Sequence, residues 1–132
     1  MCPKILPLLI GLTIVCIEVA PTAQSDCLKW HLSRQFTFVR SDGRKLTVGL
    51  LRHGQVITGE AYYYEKRLYH GDVTGYIDGD DFNVTMGWPL RREIYEGRID
   101  AQGHLFGTTY DEVDRDHRVT WYTKERLRCA YH

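Results

Sequence analysis

Beyond its first 25 residues this sequence has no long apolar run, no surplus of either charge sign and almost no helical periodicity. Each absence removes a class of protein. Without a later apolar run of about 20 residues there is no helical membrane span, so stable membrane insertion is not expected once a leader is removed. The 17 basic residues are matched by 17 acidic ones, and a balanced surface lacks the basic footprint that nucleic acid requires. No serine or cysteine stands in a nucleophile-elbow setting. The histidines and cysteines show no metal-ligand spacing, so neither a metal nor another cofactor is expected. What is present is a succession of short alternating runs, rich in tyrosine and tryptophan and broken by turn residues.

The segment "MCPKILPLLIGLTIVCIEVAPTAQS" has one early positive charge, Lys4, and an apolar run from Ile5 to Val19. That run is short for a bilayer span, and Pro21 and small residues follow it, so residues 1–25 read as a secretory signal peptide. Cleavage after Ser25 or after Ala23 fits the small-residue rule, and an uncleaved anchor is the competing reading. Removal takes away Lys4 and Glu18 together, which leaves the charge balance intact. Residues 26–132 are enough for one small core, hence a single domain in a secreted or periplasmic protein. Cys2 and Cys16 leave with the leader. Cys27 and Cys129 remain, and an oxidising compartment allows them one pairing, with two free thiols as the alternative.

The remaining chain reads as eight strands: "RQFTFVR", "KLTVGLL", "QVITGEAYYYE", "YHGDVTGYIDG", "DFNVTMGW", "EIYEGRID", "HLFGTTYDE" and "RVTWYTKE". The links between them are short, so successive strands should pair antiparallel. Closing eight such strands into an up-and-down barrel removes both raw edges, and a cystine between the chain ends suits closure. A two-sheet sandwich is the alternative. Alternation places Val73, Ile77, Phe82, Val84, Met86, Trp88, Tyr95, Ile99, Val119 and Trp121 on one face, with charged and hydroxyl residues on the other. Gly59, Gly75, Gly97 and Gly107 fall on the same inward face. They either relieve crowding where strands bend or leave room for a ligand.

"WHLS", "ITGEAYY", "GDVTGYIDGDDFNVTMGW", "YEGRIDAQGHLFGTTYD" and "VTWYTKERLRC" resemble a family of small exported bacterial β-barrel proteins of avidin-like, calycin type. More distantly they resemble avidin and streptavidin, through an aromatic-x-glycine strand, here Tyr95-Glu96-Gly97. The resemblance spans nearly all of residues 26–132 and implies the barrel fold. The polar residues with which avidins grip biotin have no matching positions here, and the closer family brings no activity with it.

The expected function is therefore binding without catalysis. A small apolar or aromatic ligand would occupy the lumen, lined by Tyr63, Trp88, Tyr95, Gly97, Gly107, Thr109 and Trp121. The competing reading is a protein-interaction module, an inhibitor or envelope assembly component, that uses the loops and outer face. Tyr62, Tyr64 and Tyr110 point outward and would serve such a contact or self-association. Of the six histidines, several fall in turns or at strand starts, and the sequence shows no positioned partner for acid–base work. "DGDD" at Asp78–Asp81 reads as a hairpin turn in preference to a calcium loop, and "VDRDH" at Val113–His117 as a solvated loop.

Overall fold

A computed structural model describes residues 27–131. The proposed leader and its two cleavage positions lie outside the described residues. Ten strands follow one another: β1 Lys29–His31, β2 Gln35–Arg40, β3 Lys45–His53, β4 Val56–Glu65, β5 Arg67–Asp78, β6 Asp81–Trp88, β7 Arg91–Ile99, β8 Leu105–Asp111, β9 Asp114–Thr123 and β10 Arg128–Tyr131. Strands β2 to β9 pair in chain order, each antiparallel to the next, and β9 returns to β2 to close the cylinder. The eight expected strands are the barrel. The two additional short ones, β1 and β10, form a separate ribbon.

The Cys27–Cys129 disulfide joins Cys129 within β10 to Cys27 just before β1, with the two Cα atoms 5.8 Å apart. It therefore ties the ribbon and not the barrel seam. Its presence is consistent with an oxidising, exported environment. The seam itself is short, with Phe38, Val39 and Arg40 opposite Thr123, Tyr122 and Trp121. Past it, Lys124 N–H donates to the Thr37 carbonyl at 2.9 Å. The Glu125 carboxylate then accepts from the Thr37 N–H at 2.6 Å and from the Thr37 hydroxyl at 2.9 Å. A side chain thus satisfies the donor that an absent strand would have taken. Burial works against the Glu125 charge, but these hydrogen bonds outweigh it and hold the carboxyl below its usual range.

The predicted loop Val113–His117 is a turn only at its start. β9 begins at Asp114, opposite Asp111, although its first residues are exposed. Backbone pairing needs no apolar side chains, so the charge run concealed a strand end.

Strand alternation sorts the faces as expected. Phe36, Phe38, Leu46, Val48, Ile57, Ala61, Val84, Met86 and Leu105 have no exposed surface at all. The centre is filled with rings. Phe38 stacks on Trp121 with centroids 4.7 Å apart and planes 2° from parallel, while Tyr95 and Phe82 meet that pair at steep angles.

Gly97 and Gly107 sit opposite each other on β7 and β8. A Cβ on Gly97 would run into the Phe106 carbonyl and come within 2.9 Å of the Trp121 ring, and one on Gly107 would strike the Glu96 carbonyl. Gly59 and Gly75 meet neighbouring backbone in the same way. These residues allow strands to coil tightly past one another. They leave no space for a ligand.

The two ends of the cylinder differ. One carries the turns after β3, β5 and β7 and is covered by the ribbon. There Trp30 donates its indole N–H to Asp80 at 3.1 Å, accepts on its carbonyl from Arg52 at 2.9 Å and lies against Gly103. Leu32 and Leu127 are buried beside it. The other end carries the turns after β2, β4, β6 and β8, and no chain terminus crosses it among the described residues.

Candidate functional site

The uncovered rim is built from strand ends. Alternation along β2 runs Phe36, Phe38, Arg40, so the third inward position holds a guanidinium in place of a ring. Along β7 the same inward face begins with Glu93 and continues to Tyr95. Strand closure brings these together. Arg40 donates to Glu93 at 2.8 Å and to the Tyr95 hydroxyl at 3.1 Å, and grips Asp42 through two hydrogen bonds at 3.2 and 2.7 Å. The second Glu93 oxygen accepts the Trp88 indole N–H at 2.7 Å.

Arg40 and Glu93 side chains are each only 7 % exposed, so this is a buried ion pair with its valences filled. Breaking such a pair is far costlier than never having it. Burial opposes the charge on Arg40, but Tyr95, Asp42 and Glu93 outweigh it and keep the guanidinium protonated. Burial, reinforced by the Glu93 charge, pushes the Tyr95 phenol up to about 12, so it is neutral at ordinary pH. Asp42 is lowered: its own partial burial is outweighed by the hydrogen bonds from Arg40 and Arg44.

Above this network lies a cleft of about 740 Å³ lined by Arg44, Tyr63, Glu65, Lys66, Arg67, Tyr69, Trp88, Pro89, Leu90 and Arg91. Its aromatic members are fixed in place. Tyr63 stacks on Tyr69 at 4.7 Å and meets Trp88 edge-on at 4.9 Å. The Tyr63 hydroxyl accepts from Arg91 at 3.0 Å. The Trp88 indole lies flat on Gly71, where a Cβ would come within 2.6 Å of the ring. Tyr63 and Trp88 are each 6 % exposed, so they form a floor, while Tyr69, Arg91 and the exposed turn residues form the walls.

The residues expected to line a lumen therefore separate into two groups. Tyr63 and Trp88 border the rim cleft. Tyr95, Thr109 and Trp121 lie in the filled interior at 0, 1 and 2 % exposure, and Gly97 and Gly107 lie on its wall. Sequence reasoning missed Arg40, Gly71 and Glu93, together with Tyr69 and the arginines of the rim. The signal for Arg40 and Glu93 was present, because strand parity puts both on the core face.

Of the outward tyrosines, Tyr64 is 75 % exposed and Tyr62 is half-buried, bonded to Glu60 at 2.8 Å and packed on His70. Tyr110 corrects the expectation, since it is only 6 % exposed. A register shift after Thr109 lays it across the outer face, where it donates to Glu96 at 2.6 Å beneath the Arg118 guanidinium. The Glu96 hydrogen bond, with some burial, raises its phenol above the ordinary value.

The fold and site together define a class: an all-β, disulfide-tied, eight-stranded antiparallel barrel with one covered and one uncovered end. No protein-family model, no curated protein and no solved structure matches the chain. None of these comparisons supports the avidin-like resemblance of the quoted motifs.

Proposed function

We propose that this is a secreted or periplasmic binding protein that holds a small molecule in the rim cleft and performs no turnover. One observation carries the reading. A cleft within the usual 300–1,000 Å³ range for ligand sites has an aromatic floor whose polar atoms are already tied down by Arg91 and Glu93. A floor fixed in advance costs little ordering on binding. The contrast with the covered end adds support, because there the ribbon fills the comparable position with Trp30, Leu32 and Leu127.

A thermal-shift screen of aromatic small molecules tests this, with wild type and Tyr69→Ala compared side by side. Stabilisers of the wild type should lose most of their effect in the variant, since Tyr69 forms a wall and backs Tyr63. Stabilisation that survives the substitution, or a screen without stabilisers, would sink the rim site.

A second reading is favoured by a different surface. Tyr64 and Leu68 face each other across β4 and β5 and are 75 % and 64 % exposed. Such an apolar pair beside Tyr62 suits a protein contact, including self-association. Under that reading Tyr64→Ser with Leu68→Ser shifts the sedimentation coefficient of the protein and leaves ligand binding untouched.

A further inference from the structure

The chain is neutral as a whole, with 17 basic and 17 acidic residues, yet the rim cleft is not. Arg44, Lys66, Arg67 and Arg91 line it against a single carboxylate, Glu65. That carboxylate is already engaged by Arg44 at 3.1 Å. Arg67 and Lys66 have no acidic partner among the described residues. Arg67 lies over the Tyr69 ring at 4.7 Å and Arg44 over Tyr63 at 4.4 Å. A guanidinium lying over a ring still offers N–H donors along its edge, which can take two oxygens of a carboxylate, sulfonate or phosphate at once.

A second observation is independent of charge. The turns after β2, β3, β5 and β7 each place a glycine at positive φ: Gly43, Gly54, Gly79 and Gly103. The turn after β4 instead holds Lys66 there, at φ 64°, the one non-glycine residue so placed among the described residues. A side chain in that region costs free energy that glycine does not. The exception is the lysine that lines the cleft.

We infer that the cleft selects a small, flat organic anion: an aromatic ring seated against Tyr69 and the exposed edges of Tyr63 and Trp88, carrying a carboxylate, sulfonate or phosphate held by Lys66, Arg67 and Arg91. The inference rests on the rim reading above and adds the sign of the ligand. Lys66 retains a strained turn because its ammonium is needed at that spot.

The test is titration of intrinsic tryptophan fluorescence with naphthalene-2-sulfonate and with its neutral counterpart 2-naphthylmethanol, on wild type, Lys66→Gly and Tyr69→Ala. The sulfonate should bind wild type about tenfold more tightly than the alcohol, by an advantage that shrinks as salt rises. Lys66→Gly should melt a few degrees higher than wild type yet bind the sulfonate about fivefold more weakly, with alcohol binding unchanged. Equal affinity for the two probes, with both lost in Tyr69→Ala, overturns the anion inference and leaves the rim site standing. So does Lys66→Gly with full sulfonate affinity. Binding of both probes that Tyr69→Ala does not alter overturns the rim site and the anion inference together.

Discussion

The two ends of this barrel solve the same problem with opposite chemistry. At the covered end, apolar side chains from the first and last described segments fill the opening, and the Cys27–Cys129 bond holds the ribbon in place. At the rim, the last inward positions of β2 and β7 are charged, and the Arg40–Glu93 pair closes the core beneath an open cleft. The first arrangement depends on area removed from water and on chain connectivity. The second depends on every donor and acceptor finding its partner, because an unpaired buried charge is intolerable. A stopper of apolar residues leaves nothing to bind. A charged floor leaves donors, rings and space above it, which is the ground for proposing a binding site at the rim.

The comparison breaks most visibly at Glu93. Glu93→Ala takes from buried Arg40 one of its two carboxylate partners and from Trp88 its indole acceptor, and should cost about 4 kcal/mol, read from urea denaturation. Replacing the pair together, Arg40→Met with Glu93→Leu, should recover part of that loss, since the Trp88 indole N–H still lacks its acceptor. If the single variant costs under about 1 kcal/mol, the charged floor is not what holds this end.

Next in size is the opposite end. Cys27→Ser with Cys129→Ser should lower stability by about 3 kcal/mol, since the bond closes a loop of 102 residues. Rim binding should be unchanged. Loss of binding in that variant would show that the ends are coupled and not separate.

The smallest effect lies along the seam that joins them. Glu125 has its folded acidity below the ordinary value of 4.5. Its stabilisation is therefore complete above that unfolded value and is lost as pH falls through the lower folded one. Glu125→Gln should cost about 1 kcal/mol at pH 7, a modest figure because the group is part-exposed. The gap to wild type should close between pH 4.5 and more acidic conditions. A gap independent of pH would mean that the carboxylate charge is irrelevant to closure.

Much of this was legible beforehand. The period-two pattern gave the strands, their inward faces and the antiparallel barrel, because a one-residue slip would turn every apolar side chain to water. Cys27 with Cys129 followed from counting. What could not be read was how deep each inward position lies. Trp88 and Trp121 are equivalent in the alternation, yet one floors a cleft and the other is stacked under Phe38. Tyr110 had outward parity and was expected exposed, but a local register shift covered it.

The sequence alone determined the sheet, its sidedness and its covalent tie, since these depend on periodicity and residue type along the chain. Only the closed tertiary structure decided that the interior is full, that the glycines serve strand curvature, and that Arg40 meets Glu93. The reason is geometric. Those outcomes depend on distances across a cylinder, between residues 53 positions apart, and such distances exist only once the last barrel strand has paired with the first.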